Sequence, residues 1–110
     1  MVSEIIREKV MQATFEEVPH AIAVQVIDWR EGDQRPSAVH ISADIWVERE
    51  GQKGIIIGKG GRMLKQIGAA ARLDIERLLN ASIYLELRVR LRKDWRSDAM
   101  SIKELGFNKK

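Results

Sequence analysis

The residues best suited to chemistry in this chain lie in one stretch, Gly54-Ile55-Ile56-Ile57-Gly58-Lys59-Gly60-Gly61-Arg62. Glycine beside a helix start lets backbone approach an anion with no Cβ in the way. A helix that opens behind such a loop offers unpaired N–H groups and the positive end of its dipole. Lys59 adds a mobile cation at the loop tip. Between positions 53 and 65 stand four cations, Lys53, Lys59, Arg62 and Lys65, and no acid. The chemistry this points to is capture of phosphate.

Several phosphate loops share such residues, and spacing separates them. A nucleotide-binding P-loop needs G-x-x-x-x-G-K-[ST], because the hydroxyl holds magnesium. Here Gly60 follows Lys59, and Gly54 stands one residue too close to Gly58. The dinucleotide fingerprint G-x-G-x-x-G starts at Gly58 and Gly60 but meets Met63 at its sixth position. What remains is the G-x-x-G loop of KH modules, Gly58-Lys59-Gly60-Gly61, which clamps the backbone of about four nucleotides. Four residues alone are a weak pattern. The specificity comes from the apolar lead-in Ile55-Ile56-Ile57, the basic flanks, the helix behind and the two strands before. A plain helix–turn–helix corner would use the glycines only for the turn, and would need neither four cations nor an apolar triplet.

Other reactive residues carry less. His20 and His40 stand alone, with no acid or thiol at ligand spacing, so no metal site is expected. There is no cysteine, which excludes disulfides and thiolate sites. Catalysis needs a nucleophile, a base and an orienting group together. The hydroxyls form no such set, and the carboxylates read as solvated charge, so no enzymatic activity and no cofactor are expected. Trp29, Trp46 and Trp95 lie outside the glycine motif and read as packing or interface residues. Arg88, Arg90 and Arg92 make a basic stripe on one face of a strand, either a solvated face or a second contact with RNA or a domain.

These residues need elements to hold them. Ser3 can cap a helix to about Glu17, with Ile5, Ile6, Val10 and Ala13 on one face and Pro19 ending it. Ile22 to Ile27 is β-branched and too short for a helix, hence a strand. Glu31 to Pro36 is a polar loop. The next strand alternates, with Val39, Ile41, Ala43, Ile45 and Val47 on one side and His40, Ser42, Asp44, Trp46 and Glu48 on the other. Gly51 and Gly54 bracket a turn, and Lys53 to Ile57 fits a short helix or an extended run equally.

Arg62 to about Asn80 is a helix with Leu64, Ile67, Ala71, Ile75, Leu78 and Leu79 inward. Gly68-Ala69-Ala70-Ala71 is slim enough for close approach. A last strand turns Leu85, Leu87, Val89 and Leu91 inward and Glu86, Arg88, Arg90 and Arg92 outward. Its return after a crossover of about 35 residues suits a parallel or non-adjacent pairing. Ser97 can cap a short helix ending near Gly106. The fold class is α+β.

The length of 110 residues fits one domain. The net charge of +3 hides an asymmetry: residues 1–50 hold 5 Lys/Arg and 10 Asp/Glu, and residues 51–110 hold 14 and 6. A basic half suits a polyanion, nucleic acid before membrane. The first ten residues carry Glu4, Arg7, Glu8 and Lys9, unlike a signal peptide. No stretch approaches the roughly 20 apolar residues of a membrane span. The expectation is a soluble, cytoplasmic protein, with a peripheral membrane contact left open.

The segment from Gln52 to Gly61 resembles the type II KH domain at the C-terminus of the bacterial Era GTPase family. So do Glu4-Ile5-Ile6-Arg7-Glu8-Lys9, Glu16-Glu17-Val18-Pro19-His20, Val47-Glu48-Arg49, Tyr84-Leu85-Glu86-Leu87, Lys93-Asp94-Trp95-Arg96 and Leu105-Gly106-Phe107. The resemblance covers nearly the whole chain. It implies an αββααβ type II KH fold over residues 1–110, a three-stranded mixed sheet with helices on one face, and a short C-terminal helix. It also implies binding of single-stranded RNA near the 3′ end of small-subunit ribosomal RNA, in ribosome assembly. One departure is plain: the 110 residues hold no P-loop, so a GTPase domain would belong to a parent protein. The expected RNA site is Lys53, Ile56, Ile57, Gly58, Lys59, Gly60, Gly61, Arg62 and Lys65. In it Ile56 and Ile57 face the edge of the second strand as an apolar floor, and main-chain groups of that strand read bases. The alternative is a KH-shaped protein-interaction domain without RNA affinity.

Overall fold

A computed structural model describes residues 1–14, 22–31 and 38–92. Its elements are α1 (Val2–Ala13), β1 (Ala23–Glu31), β2 (Ala38–Val47), α2 (Glu50–Ile57), a 3-10 turn (Lys59–Gly61), α3 (Arg62–Leu79) and β3 (Ser82–Leu91). The order αββααβ is the expected one. The proposed C-terminal helix, together with Pro19, His20 and Trp95, lies outside the described residues. No described helix is long and apolar enough to cross a membrane.

The three strands form one mixed sheet in the order β1-β2-β3. β1 and β2 pair antiparallel, with a bulge between Val26 and Asp28. β2 and β3 pair parallel, from Ala38 with Ser82 to Val47 with Leu91. A parallel neighbour needs a long crossover, and α2, the glycine turn and α3 supply it. One face of the sheet carries the helices. There Ile41, Ala43, Ile45 and Val47 of β2 and Ile83 and Val89 of β3 join one core with Ile6 and Val10 of α1, Ile56 of α2, and Ile67, Ala71 and Ile75 of α3.

Local differences from the sequence reading have physical causes. α1 starts at Val2 with Met1 as its N-cap, so Ser3 lies inside the first turn and caps nothing. At its other end the buried Thr14 hydroxyl donates to the Val10 carbonyl at 2.7 Å. β1 continues past Ile27 to Glu31, which is the first residue of the expected loop. Gly51 and Gly54 do not bracket a turn but lie within α2. That helix forms because the Gln52 side chain accepts the backbone N–H groups of Glu48 and Arg49, each at 3.1 Å, and satisfies orphan donors at its start. Leu78 shares the inward stripe of α3 but stands in its last turn, 43% exposed.

α1 and α3 are tied by an ion pair, Lys9 Nζ to Asp74 at 2.7 Å. The hydrogen bond from Lys9 holds the Asp74 carboxyl below its ordinary range, and the same bond raises the Lys9 ammonium. A depressed carboxyl stabilises the fold above the ordinary carboxylate pKa, and this contribution is lost as pH falls through the lowered value. Asp74→Asn is therefore expected to lower the melting temperature at neutral pH. The gap to wild type should close as the solution is acidified below the carboxylate range. Thermal unfolding followed by circular dichroism across pH checks this, and a gap that stays constant would refute it.

Candidate nucleic-acid interface

The glycine turn joins α2 to α3 through three positive φ angles in four residues: Gly58 at 76°, Gly60 at 62° and Gly61 at 80°. Only glycine takes such values at no steric cost. Gly58 closes α2, donating its N–H to the Gly54 carbonyl at 2.8 Å, and Gly61 returns to the Gly58 carbonyl at 3.1 Å. Gly61 is then the N-cap of α3, whose first turn contains no acid. At Gly60 and Gly61 a Cβ would meet nothing within 4 Å, so the tip of the turn is open, whereas Gly58 is backed by Met63. The positive end of the α3 dipole lies behind the tip.

Lys59, Arg62 and Lys65 are exposed around this turn, and Lys53 is half-buried on α2. The arrangement is a cationic rim on the positive end of an 18-residue helix.

Beside the turn runs an open groove of 490 Å³ between α3 and β3. Gly60, Gly61, Leu64, Lys65, Gly68, Ala69 and Arg72 form one wall, and Leu85, Glu86 and Leu87 form the other. The helical wall follows 3- and 4-residue steps, so it is a second face of α3 adjacent to the core face. A Cβ at Gly68 would stand 3.8 Å from the Leu87 side chain, so the walls approach closely there. The far end of the groove is fastened by Glu76. Its carboxylate accepts the Ile83 backbone N–H at 3.0 Å and the Arg72 guanidinium at 3.3 Å, fixing the end of α3 to the start of β3.

Of the nine residues expected to bind RNA, Gly60, Gly61 and Lys65 line the groove. Gly58, Lys59 and Arg62 belong to the turn at its head. Lys53 and Ile57 lie on α2, half-buried. Ile56 has to be withdrawn: it is fully buried in the core and has no surface left for a base. The strand was also misassigned. β2 is central and hydrogen-bonded on both sides, so it has no free edge. β1 and β3 are the edge strands, and the groove opens along β3. Sequence reasoning missed Leu64, Gly68, Ala69, Arg72, Leu85, Glu86 and Leu87. Two signals were present: the slim run from Gly68 to Ala71, and the alternation of β3, whose Leu85 and Leu87 prove only half-buried.

The comparisons with known proteins agree with this geometry. The KH domain family matches residues 17–96. The chain is 56% identical over 105 residues to a protein named GTPase Era from Geobacter metallireducens, in an alignment covering 96% of this chain and 35% of that protein. A crystal structure of Aquifex aeolicus Era bound to GDP·AlF4⁻ superposes with a TM-score of 0.87 at 44% identity, over 96% of this chain and 35% of that one. A structure of Era in complex with MgGDPNP and nucleotides 1506–1542 of 16S ribosomal RNA gives the same values. The chain thus spans 35% of the length of these relatives. With its glycine turn, mixed sheet and helix order matching as one set, the chain belongs to the KH domain family.

Proposed function

We propose that residues 1–110 act as one KH domain that binds single-stranded RNA, specifically ribosomal RNA of the small subunit, during ribosome assembly in the cytoplasm. The observation that carries the reading is the turn Gly58–Gly61 at the head of the α3–β3 groove, where glycine backbone with an open tip at the start of α3 meets exposed cations. The ribosomal target is taken from the relative whose structure holds 16S ribosomal RNA nucleotides. GTP hydrolysis belongs, on this reading, to the part of the relatives that this chain does not cover. The chain itself works by binding, without a cofactor or a metal.

The mechanism follows from the geometry. With the Gly58 and Gly61 N–H groups committed to the Gly54 and Gly58 carbonyls, the phosphate oxygens are held by N–H groups at the tip of the turn, Lys59 and Gly60, and in the first turn of α3 beyond Arg62. Lys59 and Arg62 neutralise the adjoining phosphates, with Lys65 and Lys53 adding charge from either flank. Bases lie in the groove against Leu64, Leu85 and Leu87, with Ile57 at its upper margin. The outer main-chain groups of β3, rather than those of β2, read the base edges.

Titration with a short single-stranded RNA over a series of salt concentrations tests this. Three to four neutralised phosphates give a slope of log K against log salt of about −2 to −3 for a single strand. Absence of affinity for any single strand in a random pool would replace this reading with a KH-shaped protein-interaction domain.

Groove occupancy has a separate test. Gly68→Leu puts a side chain into the narrowest part of the groove while removing a mid-helix glycine, which gains about 0.8 kcal/mol of helix propensity. The variant should melt no lower than wild type yet bind RNA on the order of tenfold more weakly, a loss of about 1.4 kcal/mol. Unchanged affinity would place the bases elsewhere.

A further inference from the structure

The face of the sheet opposite the helices has its own charged cluster. Asp44 of β2 is buried there, and its carboxylate accepts Nε of Arg88 at 3.2 Å and lies 4.0 Å from Arg90. Next to it, Trp46 is 8% exposed, with the guanidinium carbons of Arg90 and Arg92 at 5.5 and 5.1 Å from its ring centre. The Trp46 Nε1 is buried without a hydrogen-bond acceptor. The Arg88 and Arg90 side chains nonetheless keep about half their surface open, at 55% and 47%.

This cluster holds guanidinium groups in fixed places. A carboxylate buried below and an indole beside them restrict rotamers that a surface arginine would otherwise sample. Side chains at alternate positions of a strand stand about 6.6 Å apart, comparable with the step between successive phosphates of an extended nucleic-acid strand. Two guanidiniums share the one buried carboxylate. Of the other acids on this face, Glu86 of β3 is turned to the Ser42 hydroxyl at 3.4 Å and lies on the groove rim, and Asp28 of β1 is paired with Arg30 at 3.1 Å.

The location matters as much as the charge. Leu87 lines the groove and Arg88 follows it in the same edge strand on the opposite face. A strand of RNA leaving the groove across the edge of β3 meets Arg88 first and Arg90 next. We infer that Arg88 and Arg90, positioned by Asp44 and Trp46, form a second phosphate-binding surface that takes the RNA backbone beyond the nucleotides seated in the groove. This inference rests on the RNA-binding reading of the groove.

The test compares two single-stranded RNAs: one of about four nucleotides, enough for the groove, and one extended at either end. The variant is Arg88→Gln with Arg90→Gln and Asp44→Asn, which removes the buried carboxylate along with its partners. Wild type should bind the longer strand on the order of tenfold more tightly, and the variant should lose that gain with its affinity for the short RNA unchanged. Its salt slope on the longer strand should be shallower by about 1.4, the value for two phosphate contacts. Arg88→Lys with Arg90→Lys keeps the charge and should keep part of the gain.

Equal wild-type affinity for both lengths, or a gain that survives in the glutamine variant, overturns the second surface and leaves the groove reading intact. If neither RNA binds wild type, the groove reading fails and this one falls with it. If the triple variant loses the short RNA as well, the lysine pair decides: a reduced gain with short-RNA binding kept supports the surface, and an undiminished gain overturns it.

Discussion

Replacing Lys59 and Gly60 together with aspartate should abolish binding of single-stranded RNA and leave the fold standing. The tip of the turn would change by three charge units, from one cation to two anions, where the phosphates are to sit. Like charges brought together at an interface cost several kcal/mol, so affinity should fall by about a hundredfold or more at fixed salt. The fold should tolerate the change because Lys59 is exposed and a Cβ at Gly60 meets nothing within 4 Å. Gly60 has φ 62° and ψ 20°, a left-handed conformation that aspartate adopts more readily than most residues. The measurement is a titration at constant ionic strength, paired with a thermal melt. Retained affinity would remove the turn from the site, whereas a collapsed melt would show that the turn is structural first.

Gly58→Ala should do the reverse, damaging the fold through the same turn. Gly58 has φ 76° and ψ 173°, a region that essentially only glycine occupies. A Cβ there would lie 2.6 Å from the Met63 Cβ and 2.8 Å from the Met63 backbone nitrogen. The second contact is with main chain at the start of α3 and cannot be relieved by a rotamer change. Backbone strain of about 1–3 kcal/mol and the clash together imply a loss of about 3 kcal/mol or more. For a domain of this size that lowers the melting temperature on the order of 15 °C. Gly61→Ala is the control: its φ is 80°, but a Cβ there meets open space, so its cost should stay near 1–2 kcal/mol. Equal melting temperatures for the two variants would mean that Met63 does not pack against Gly58 as described.

The same loop shows what sequence could convey and what it could not. Gly58, Lys59, Gly60 and Gly61 were legible because spacing alone rules loops in or out, and because the mechanics of phosphate capture are local. The α+β order was legible from the alternation of β2 and β3 and the stripe on α3. Sheet order was not. Whether a returning strand lies beside β2 depends on where α2 and α3 pack, and no local periodicity reports that. The error over Ile56 followed directly. An apolar triplet before the glycines invites the idea of a floor for bases, yet in a helix three successive residues point in three directions, and Ile56 points at the core. The turn assigned at Gly51 and Gly54 failed because Gln52, as a side-chain acceptor, outweighed the low helix propensity of two glycines. The groove itself was written in what looked like imperfection: leucines in β3 that alternate as core residues but stay half-covered.

That β3 is both the edge of the sheet and a wall of the groove sets a condition on the RNA-free protein. An uncovered edge strand is a template onto which another chain can pair, and proteins usually blunt such edges or cover them. Here, among the described residues, the outer side of β3 carries no strand, and covering it permanently would close the groove. The alternating Glu86, Arg88 and Arg90 are the kind of charged positions that disfavour edge-to-edge stacking of identical chains. The tyrosine and leucine nearer the strand's ends, Tyr84 and Leu91, are exposed and offer no such protection. On the proposed reading, protein without RNA is thus the species more prone to self-association, and RNA seated in the groove would cover this edge and oppose it.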